Sequence, residues 1–212
     1  MEAKFRLPDP HPSTVSRVRL TSALLAEPRP AVAAVIAPPG YGKTVLLGQW
    51  AARETRDVAW LTIGEYDNEP SVFLTYLAAA IDRLEPIDPG IGAALGAPGS
   101  RILATVVPRL ASELHRRRRP AVLMLDDVHR LVDRTCLDAL GALIELLPPG
   151  FQVAIGSRTY PDLPFPRLRA GRQLLEIGRA DLALDADETK ALAAHVGHRL
   201  ADDQAQALAE RT

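Results

Sequence analysis

The chain has 212 residues, of which 47% are hydrophobic and 24% charged, and its formal net charge is −1. These values are typical of a soluble globular domain with enough chain to bury a core, and they argue against a DNA-binding domain, which is usually clearly basic. No apolar run approaches the roughly 18 residues of a transmembrane helix, and the N-terminus lacks the apolar segment of a secretory signal. The lone Cys136 excludes an internal disulfide, so we expect a cytoplasmic protein.

The first part of the chain predicts an irregular leader, a short helix and a buried strand. Residues 1–14 contain three prolines, and a helix near residues 21–26 is ended by Pro28 and Pro30. Residues 31–37 (AVAAVIA) are continuously apolar, as in a strand covered on both faces. From Lys43 to about Arg53 the apolar residues recur at helical spacing.

A phosphate-binding loop is predicted between this strand and this helix. The sequence of residues 37–44 is APPGYGKT, so Gly-Lys-Thr opens the helix, although the complete motif has glycine where this chain has Ala37. Glycines let backbone N–H groups surround phosphate oxygens, and the helix N-terminus favours negative charge. Lys43 is expected to reach the β- and γ-phosphates and the Thr44 hydroxyl to hold Mg²⁺. The residues predicted to bind the nucleotide here are Pro39, Gly40, Tyr41, Gly42, Lys43, Thr44 and Val45.

The rest of the chain alternates strands and helices, which predicts a parallel sheet covered on both faces. Further strands are expected at residues 58–63, 121–125, 152–156 and 173–177. Ser71 is the expected N-cap of the helix after the second strand, and residues 85–99, with three prolines and four glycines, are expected to form a surface loop. The next helix ends in four arginines, residues 116–119, and Pro108 either kinks it or starts a second segment. We favour a solvated helix terminus for these arginines over a phosphate or DNA patch. Helices are also expected at residues 137–147 and from about residue 186.

Two carboxylates follow the strand at residues 121–125. Ligands of open α/β sheets bind at the carboxyl ends of the strands, so Asp126 and Asp127 are expected beside the phosphate loop. Asp126 is the candidate ligand for Mg²⁺, and Asp127 the candidate base that orients and deprotonates water. Arg158, after the fourth strand, is a candidate contact of the γ-phosphate. His129 either couples the nucleotide to a neighbouring loop or is an ordinary loop histidine.

Four segments, in the same order, resemble a known family. They are APPGYGKTVLLGQWAA, VAWLTIGEYDNEPSVFLTYLAAAI, VLMLDDVHRL and GSRTYPDLPFPRLRAGRQLLEI. Together they span roughly residues 13–190 and resemble the ATPase domain of MalT-like, large LuxR-type transcriptional activators, in the STAND class of P-loop ATPases. Members of this family commonly have alanine at the position of Ala37.

The resemblance extends to two shorter segments and implies a fold. Residues 16–20 (SRVRL) are similar to the family's Arg-Pro-Arg-Leu segment near the adenine, which implies that Arg17 takes part in base recognition. Residues 67–70 (DNEP) match an acidic loop typical of the family. The implied fold is an α/β P-loop NTPase of the ASCE/STAND type, a three-layer α/β/α sandwich with a five-stranded, mainly parallel sheet and a C-terminal helical extension.

The resemblance also implies an organisation and a switch. Residues 1–29 form a leader near the base, residues 30–180 the NTPase core, and residues 181–212 the start of a helical domain. ADP holds a resting form, and an inducer with ATP opens it to a multimer, so nucleotide-dependent self-association is expected. The winged-helix, sensor and helix-turn-helix domains of such regulators are not in these residues, and no direct DNA binding is expected.

Two alternatives to a slow ATPase switch stay open. One is a P-loop kinase for a small molecule, with an arginine-rich lid at residues 159–172; the acidic pair favours activation of water instead. The other is a nucleotide-binding module without turnover.

Overall fold

The computed structural model describes residues 2–9, 14–97 and 102–210. Within them, one five-stranded sheet has the strand order β2-β3-β4-β1-β5, and every neighbouring pair is parallel. The strands are β1 (Val32–Ile36), β2 (Asp57–Thr62), β3 (Ala121–Asp126), β4 (Gln152–Ser157) and β5 (Leu174–Ile177). The sequence patterns placed all five strands to within about one residue.

Ten α-helices and three 3₁₀ turns precede, connect or follow the strands in the described part of the chain. The helices are α1 (Val18–Leu25), α2 (Lys43–Arg53), α3 (Pro70–Asp82), α4 (Gly90–Gly96), α5 (Ile102–Arg116), α6 (Arg134–Glu145), α7 (Phe165–Ala170), α8 (Arg179–Leu182), α9 (Ala186–His195) and α10 (Asp202–Ala209). The 3₁₀ turns are Glu2–Phe5, Glu65–Asp67 and Val128–Arg130. No helix in these described ranges is long and apolar enough to cross a membrane.

The sheet is buried on both faces, and strand geometry explains how. Successive side chains of a strand point to opposite faces, so one strand supplies two cores. In β1, Val32 and Ala34 pack in the cluster that contains residues of α3, α5 and α6, whereas Ala33 and Val35 pack in the cluster that contains residues of α1 and α2. The predicted three-layer α/β/α fold with a parallel sheet is therefore confirmed.

The strand register brings the functional loops to one edge. Ile36 of β1 lies beside Ser157 of β4, and Thr62 of β2 lies beside Asp126 of β3. Because all strands are parallel, the segments that follow β1, β3 and β4 leave the sheet on the same side. The phosphate loop, the acidic pair and Arg158 thus start from adjacent strand ends.

Two local expectations were wrong, and one of the two alternatives for Pro108 is excluded. Residues 85–99 include the helix α4, whose Ile91 and Leu95 are buried on one side, one turn apart. The N-cap of α3 is Glu69, whose carboxylate accepts hydrogen bonds from the backbone N–H groups of Ser71 and Val72. Pro108 lies inside the single helix α5 and starts no second segment. Residues 98 and 99 of the predicted loop lie outside the described ranges.

The arginine run and the leader also make contacts that were not expected from the sequence. The Arg117 side chain is only 6% exposed, and its Nη2 lies 2.8 Å from Asp57 Oδ2, so it ties the end of α5 to β2. Arg116 and Arg119 are exposed, as predicted for a solvated terminus. In the leader, the Glu2–Phe5 turn packs on β2, and Lys4 Nζ lies 2.5 Å from Asp67 Oδ2.

Candidate nucleotide-binding site

The loop between β1 and α2 has the backbone that its glycines predict. Gly40 and Gly42 have φ angles of +87° and +75°, in the region that L-residues rarely adopt. A Cβ at either position would meet no atom within 4 Å, so the requirement for glycine is conformational rather than steric. The Gly42 carbonyl accepts the first helical hydrogen bond, from Leu46 N at 2.8 Å, and α2 therefore begins directly at the loop.

Lys43 lies at the start of α2 and is folded back onto the loop. Its side chain is largely buried, and Nζ donates a hydrogen bond to the Pro38 carbonyl at 2.9 Å. Burial lowers the pKa of Lys43, and the charge of Arg158 adds to this effect, whereas Asp126 and Asp127 oppose it. The four predicted charged residues are thus electrostatically coupled.

Thr44 and Asp126 come from different elements and meet at the strand edge. Thr44 Oγ1 donates a hydrogen bond to Asp126 Oδ2 at 2.6 Å. Asp126 is only 3% exposed, and its pKa is raised by burial and by the neighbouring charge of Asp127, against the hydrogen bond from Thr44. A hydroxyl and a carboxylate oxygen at this distance are the hard oxygen ligands that Mg²⁺ prefers, so the pair fits such an ion.

Asp127 occupies a conformation that is unusual for a residue with a side chain. Its φ is +59°, a region in which Asp is more frequent than most residues, and its backbone N–H donates to Asp126 Oδ1 at 2.9 Å. The carboxylate lies 3.8 Å from His129 Nδ1 and 3.7 Å from Arg130 Nε. Burial lowers the pKa of His129, and Asp127 opposes that shift. His129 therefore belongs to the environment of Asp127.

Gly156 of β4 was not identified from the sequence, although it shapes this site. A Cβ there would lie 2.5 Å from Asp126 Oδ1 and 2.9 Å from Leu47 Cδ1. Any larger residue would push the Asp126 carboxylate and the Leu47 side chain away. The sequence shows only a glycine before Ser157, and its importance follows from the pairing of β3 with β4.

A cavity of about 650 Å³ adjoins the phosphate loop. One wall comes from the segment before α1, with Thr14, Val15 and Arg17, and the floor from the loop residues Pro39 to Gly42 and Val45. The opposite wall comes from the C-terminal helices, with Arg179, Leu182, Ala183, Leu184 and Leu192. The Arg179 guanidinium lies 5.5 Å from the centre of the Tyr41 ring, a cation–π contact that joins this wall to the loop.

Arg17, predicted for base recognition, lies in the cavity wall with its guanidinium bound to protein groups. Nε is 3.0 Å from Glu188 Oε1, and Nη2 donates to the carbonyls of Leu182 at 2.8 Å and Ala183 at 3.2 Å. These contacts orient the guanidinium toward the C-terminal helices.

The side chains of the acidic loop at residues 67–70 accept hydrogen bonds from backbone N–H groups. Asp67 accepts a hydrogen bond from Gly64 N at 2.6 Å, and Glu69 caps α3. Asn68 Oδ1 accepts from Val132 N and Asp133 N, both at 2.8 Å, just before α6. The loop therefore fixes the connection between β3 and α6, next to the acidic pair.

The fold and this constellation define a P-loop ATPase, and comparison with known proteins agrees. The chain belongs to the AAA ATPase domain family, whose model matches residues 16–155. Nucleotide with Mg²⁺ is what P-loop NTPases generally bind.

Among individual proteins, the chain is similar to the serine/threonine-protein kinase PknK of Mycobacterium tuberculosis. The two are 36% identical over 99% of this chain and 19% of that protein, so the chain spans about a fifth of its relative.

Solved structures show the same fold at low identity. A signal transduction ATPase with numerous domains (STAND) from Pyrococcus horikoshii, with a tetratricopeptide repeat sensor, matches at a TM-score of 0.59 and 13% identity, over 98% of this chain and 29% of that one. The ORC1 protein of Aeropyrum pernix, solved with DNA, matches at a TM-score of 0.52 and 18% identity, over 86% and 50%.

Proposed function

We propose that this domain binds ATP or ADP with Mg²⁺ and hydrolyses ATP slowly, as the switch module of a regulatory protein. The observation that carries the proposal is the 2.6 Å contact between Thr44 Oγ1 and Asp126 Oδ2 beside a glycine loop that opens a helix. This contact joins the two halves of a P-loop ATPase site, which lie far apart in the sequence.

The phosphates are held by the loop. Backbone N–H groups of residues 40–45 and the N-terminus of α2 surround them, and Lys43 exchanges its hydrogen bond with the Pro38 carbonyl for the phosphate oxygens. Thr44 and Asp126 hold Mg²⁺, which neutralises negative charge on the phosphates when it is bound.

Asp127 and Arg158 complete the chemistry. Asp127 orients a water molecule and accepts its proton, and its backbone N–H, bonded to Asp126 Oδ1, fixes its position relative to the metal ligand. Arg158 is exposed after β4 and contacts the γ-phosphate. Its charge contributes to lowering the pKa of Lys43 and of His129, which places it electrostatically near both.

The base and ribose occupy the cavity between the segment before α1 and the C-terminal helices. Its volume of about 650 Å³ is within the usual range of small-molecule pockets. Leu182, Leu184, Val15 and Val45 give it an apolar lining suited to a flat aromatic ring.

The wider role that we propose is that of a MalT-like, LuxR-type regulator, with ADP in the resting form and ATP in the active one. The resemblance of four segments supports this reading, and the likeness to a STAND protein supports the class. Since this chain spans about a fifth of PknK, a kinase by name, it can equally serve as the switch domain of a larger signalling protein.

Transfer of phosphate to a small molecule receives less support. The segment considered as an arginine lid forms α7 and is anchored by the buried Leu163 and Phe165. Two of its arginines are engaged with carboxylates, Arg167 with Glu145 and Arg169 with Glu176. A packed segment with paired arginines is not the mobile lid that such a kinase needs.

The replacement of Asp127 by Asn tests the proposed chemistry. We expect Asp127→Asn to retain ATP binding and to release phosphate about 100-fold more slowly or worse, since a general base accelerates such a reaction by about 10²–10⁴-fold. Steady-state phosphate release, with and without small-molecule acceptors, is the measurement, and the exposed Asp162→Asn is the control. Equal turnover in Asp127→Asn and wild type would contradict the base role, and bound ATP without turnover in the wild type would indicate a binding-only module.

A further inference from the structure

The C-terminal wall of the cavity is attached to the core in an unusual way. In α9, most side chains are partly or largely exposed, and the one residue that is more than nine-tenths buried is the acidic Glu188. Leu192, which lines the cavity, is itself 41% exposed. Apolar burial therefore contributes little to the docking of α9 on the core, and Glu188 gives the helix a buried polar contact.

That contact is the ion pair between Arg17 and Glu188. Their side chains are 8% and 9% exposed, with Nε and Oε1 3.0 Å apart. The same guanidinium donates hydrogen bonds to the carbonyls of Leu182 and Ala183. These two residues end α8 and begin the connection to α9. One side chain thus fixes both the end of α8 and the first turn of α9.

Arg17 is in turn fixed to the phosphate-loop helix. Gln49 of α2 accepts a hydrogen bond from the Arg17 backbone N–H at 2.8 Å and donates one to the Val15 carbonyl at 2.7 Å. A continuous chain of polar contacts therefore runs from α2 through Gln49 and Arg17 to Glu188, around the cavity.

We propose that Arg17 and Glu188 form a latch that positions the C-terminal wall of the base cavity, so that binding of the nucleoside and docking of α9 are coupled. Arg17 is a positioning residue here, and the inference rests on the proposed nucleotide site. Because the coupling is reciprocal, loss of the latch weakens nucleoside binding, and a bound nucleoside holds α9 in place.

The coupling is confined to one half of the ligand, and this makes it testable. The phosphate loop lies between β1 and α2 and contains neither latch residue, so the binding of inorganic tripolyphosphate with Mg²⁺ should not depend on the latch. ATP adds a nucleoside, whose cavity has α8 and α9 as one wall. Glu188 is not among the residues that line this cavity, so an effect of its replacement on ATP must act through the position of the wall.

The test compares ATP and tripolyphosphate, each with Mg²⁺, by titration calorimetry on the 212-residue chain. For Glu188→Ala we expect the Kd for ATP to rise about tenfold or more, because a buried arginine loses its partner, and the Kd for tripolyphosphate to stay within about twofold. Asp187→Ala, on the same helix with a side chain 96% exposed, is the control and should change neither. Arg17→Lys should resemble Glu188→Ala, since one ammonium group cannot contact the Glu188 carboxylate and both carbonyls as the planar guanidinium does.

Amide hydrogen exchange supplies the second readout. In Glu188→Ala the amides of α9 should exchange faster than in wild type, whereas those of β1 and α2 should not. If Glu188→Ala left the Kd for ATP unchanged, or weakened the binding of ATP and of tripolyphosphate equally, the proposal would be overturned. A wild type that binds neither ligand would contradict the proposed nucleotide site instead; exchange then decides the latch, which is overturned if α9 is protected equally in both proteins.

Discussion

At the level of single residues, the buried carboxylate at the end of β3 lowers the stability of the folded chain. Asp126 is almost fully buried, and its pKa is raised by burial and by the charge of Asp127. A carboxylate kept in such surroundings stabilises the fold less than a neutral group of the same shape. This is the pattern expected where a residue is needed to hold a cation rather than to stabilise the chain.

Replacement of Asp126 should therefore stabilise the protein without nucleotide. A raised folded-state pKa means that the folded chain favours the protonated carboxyl, so its contribution to stability is present below the ordinary value of 3.8 and is lost as pH rises through the folded-state pKa. We expect Asp126→Asn to raise the free energy of unfolding at pH 7 by about 1 kcal/mol, or ~2–4 °C in Tm, with the difference shrinking toward acid pH.

Thermal melts at several pH values measure this difference, with the exposed Asp162→Asn as the control. In the same variant, the dependence of ATP binding on Mg²⁺ should weaken. A lower Tm of Asp126→Asn across the whole pH range would show that the carboxylate is instead a structural group.

At the level of elements, the end of α2 remote from the phosphate loop is fixed by Glu54. This carboxylate has a fully buried side chain and accepts hydrogen bonds from Trp50 Nε1 at 3.0 Å, Arg29 Nη1 at 2.9 Å and Arg56 Nη2 at 2.8 Å. Burial alone would raise the pKa of Glu54, but the hydrogen bonds and the charge of Arg56, with the hydrogen bond from Arg29, outweigh it and lower the pKa to about 2. Here the charge stabilises the helix position.

Glu54→Gln should consequently destabilise the fold by about 3 kcal/mol at pH 7, since two arginines lose their buried partner. A lowered folded-state pKa gives stability above the ordinary value of 4.5, and this is lost as pH falls toward about 2. Urea unfolding at pH 7 and at pH 3 should show a large difference between variant and wild type that narrows in acid. Glu27→Gln, a mostly exposed partner of Arg29, is the control; an equal effect of the two changes would argue against the network at Glu54.

Periodicity and motif spacing predicted the elements that carry strong local signals. The buried strands, the phosphate loop and the acidic pair follow from apolar runs that end in glycine or aspartate. The helix α4 was missed because its glycines and flanking prolines outweigh the two apolar residues, Ile91 and Leu95, that pack it. The cap at Glu69 was missed because Ser71, two residues later, is of a type that is preferred at N-caps, whereas glutamate is not.

Features that depend on tertiary contacts left no local signal. Gly156 matters because β4 lies beside β3, which is a property of strand order. The partners of Arg17 lie at the other end of the chain, so the sequence could suggest its place near the base but not its ion pair with Glu188.

At the level of the whole molecule, the nucleotide site depends on segments from both ends of the described chain. The sheet edge supplies the phosphate-binding half, whereas the segment before α1 and the helices α8 and α9 supply the cavity beside it. Under the proposed coupling, the domain reports its ligand through the position of α9. Such an arrangement suits a switch, in which the C-terminal helices pass the state of the site to further parts of a protein.

Titration calorimetry of Mg²⁺-ATP with the wild-type chain and with Lys43→Ala tests the central claim most directly. The wild type should bind ATP at one site, and Lys43→Ala should bind it about 30-fold or more weakly, because a cation that bonds phosphate oxygens is lost. Since burial disfavours the charge of Lys43 and lowers its pKa, alanine should not destabilise the fold, and a Tm of Lys43→Ala without ATP that is no lower than that of the wild type provides the check. Equal affinities of wild type and Lys43→Ala would contradict the assignment of residues 39–45 as the phosphate-binding loop.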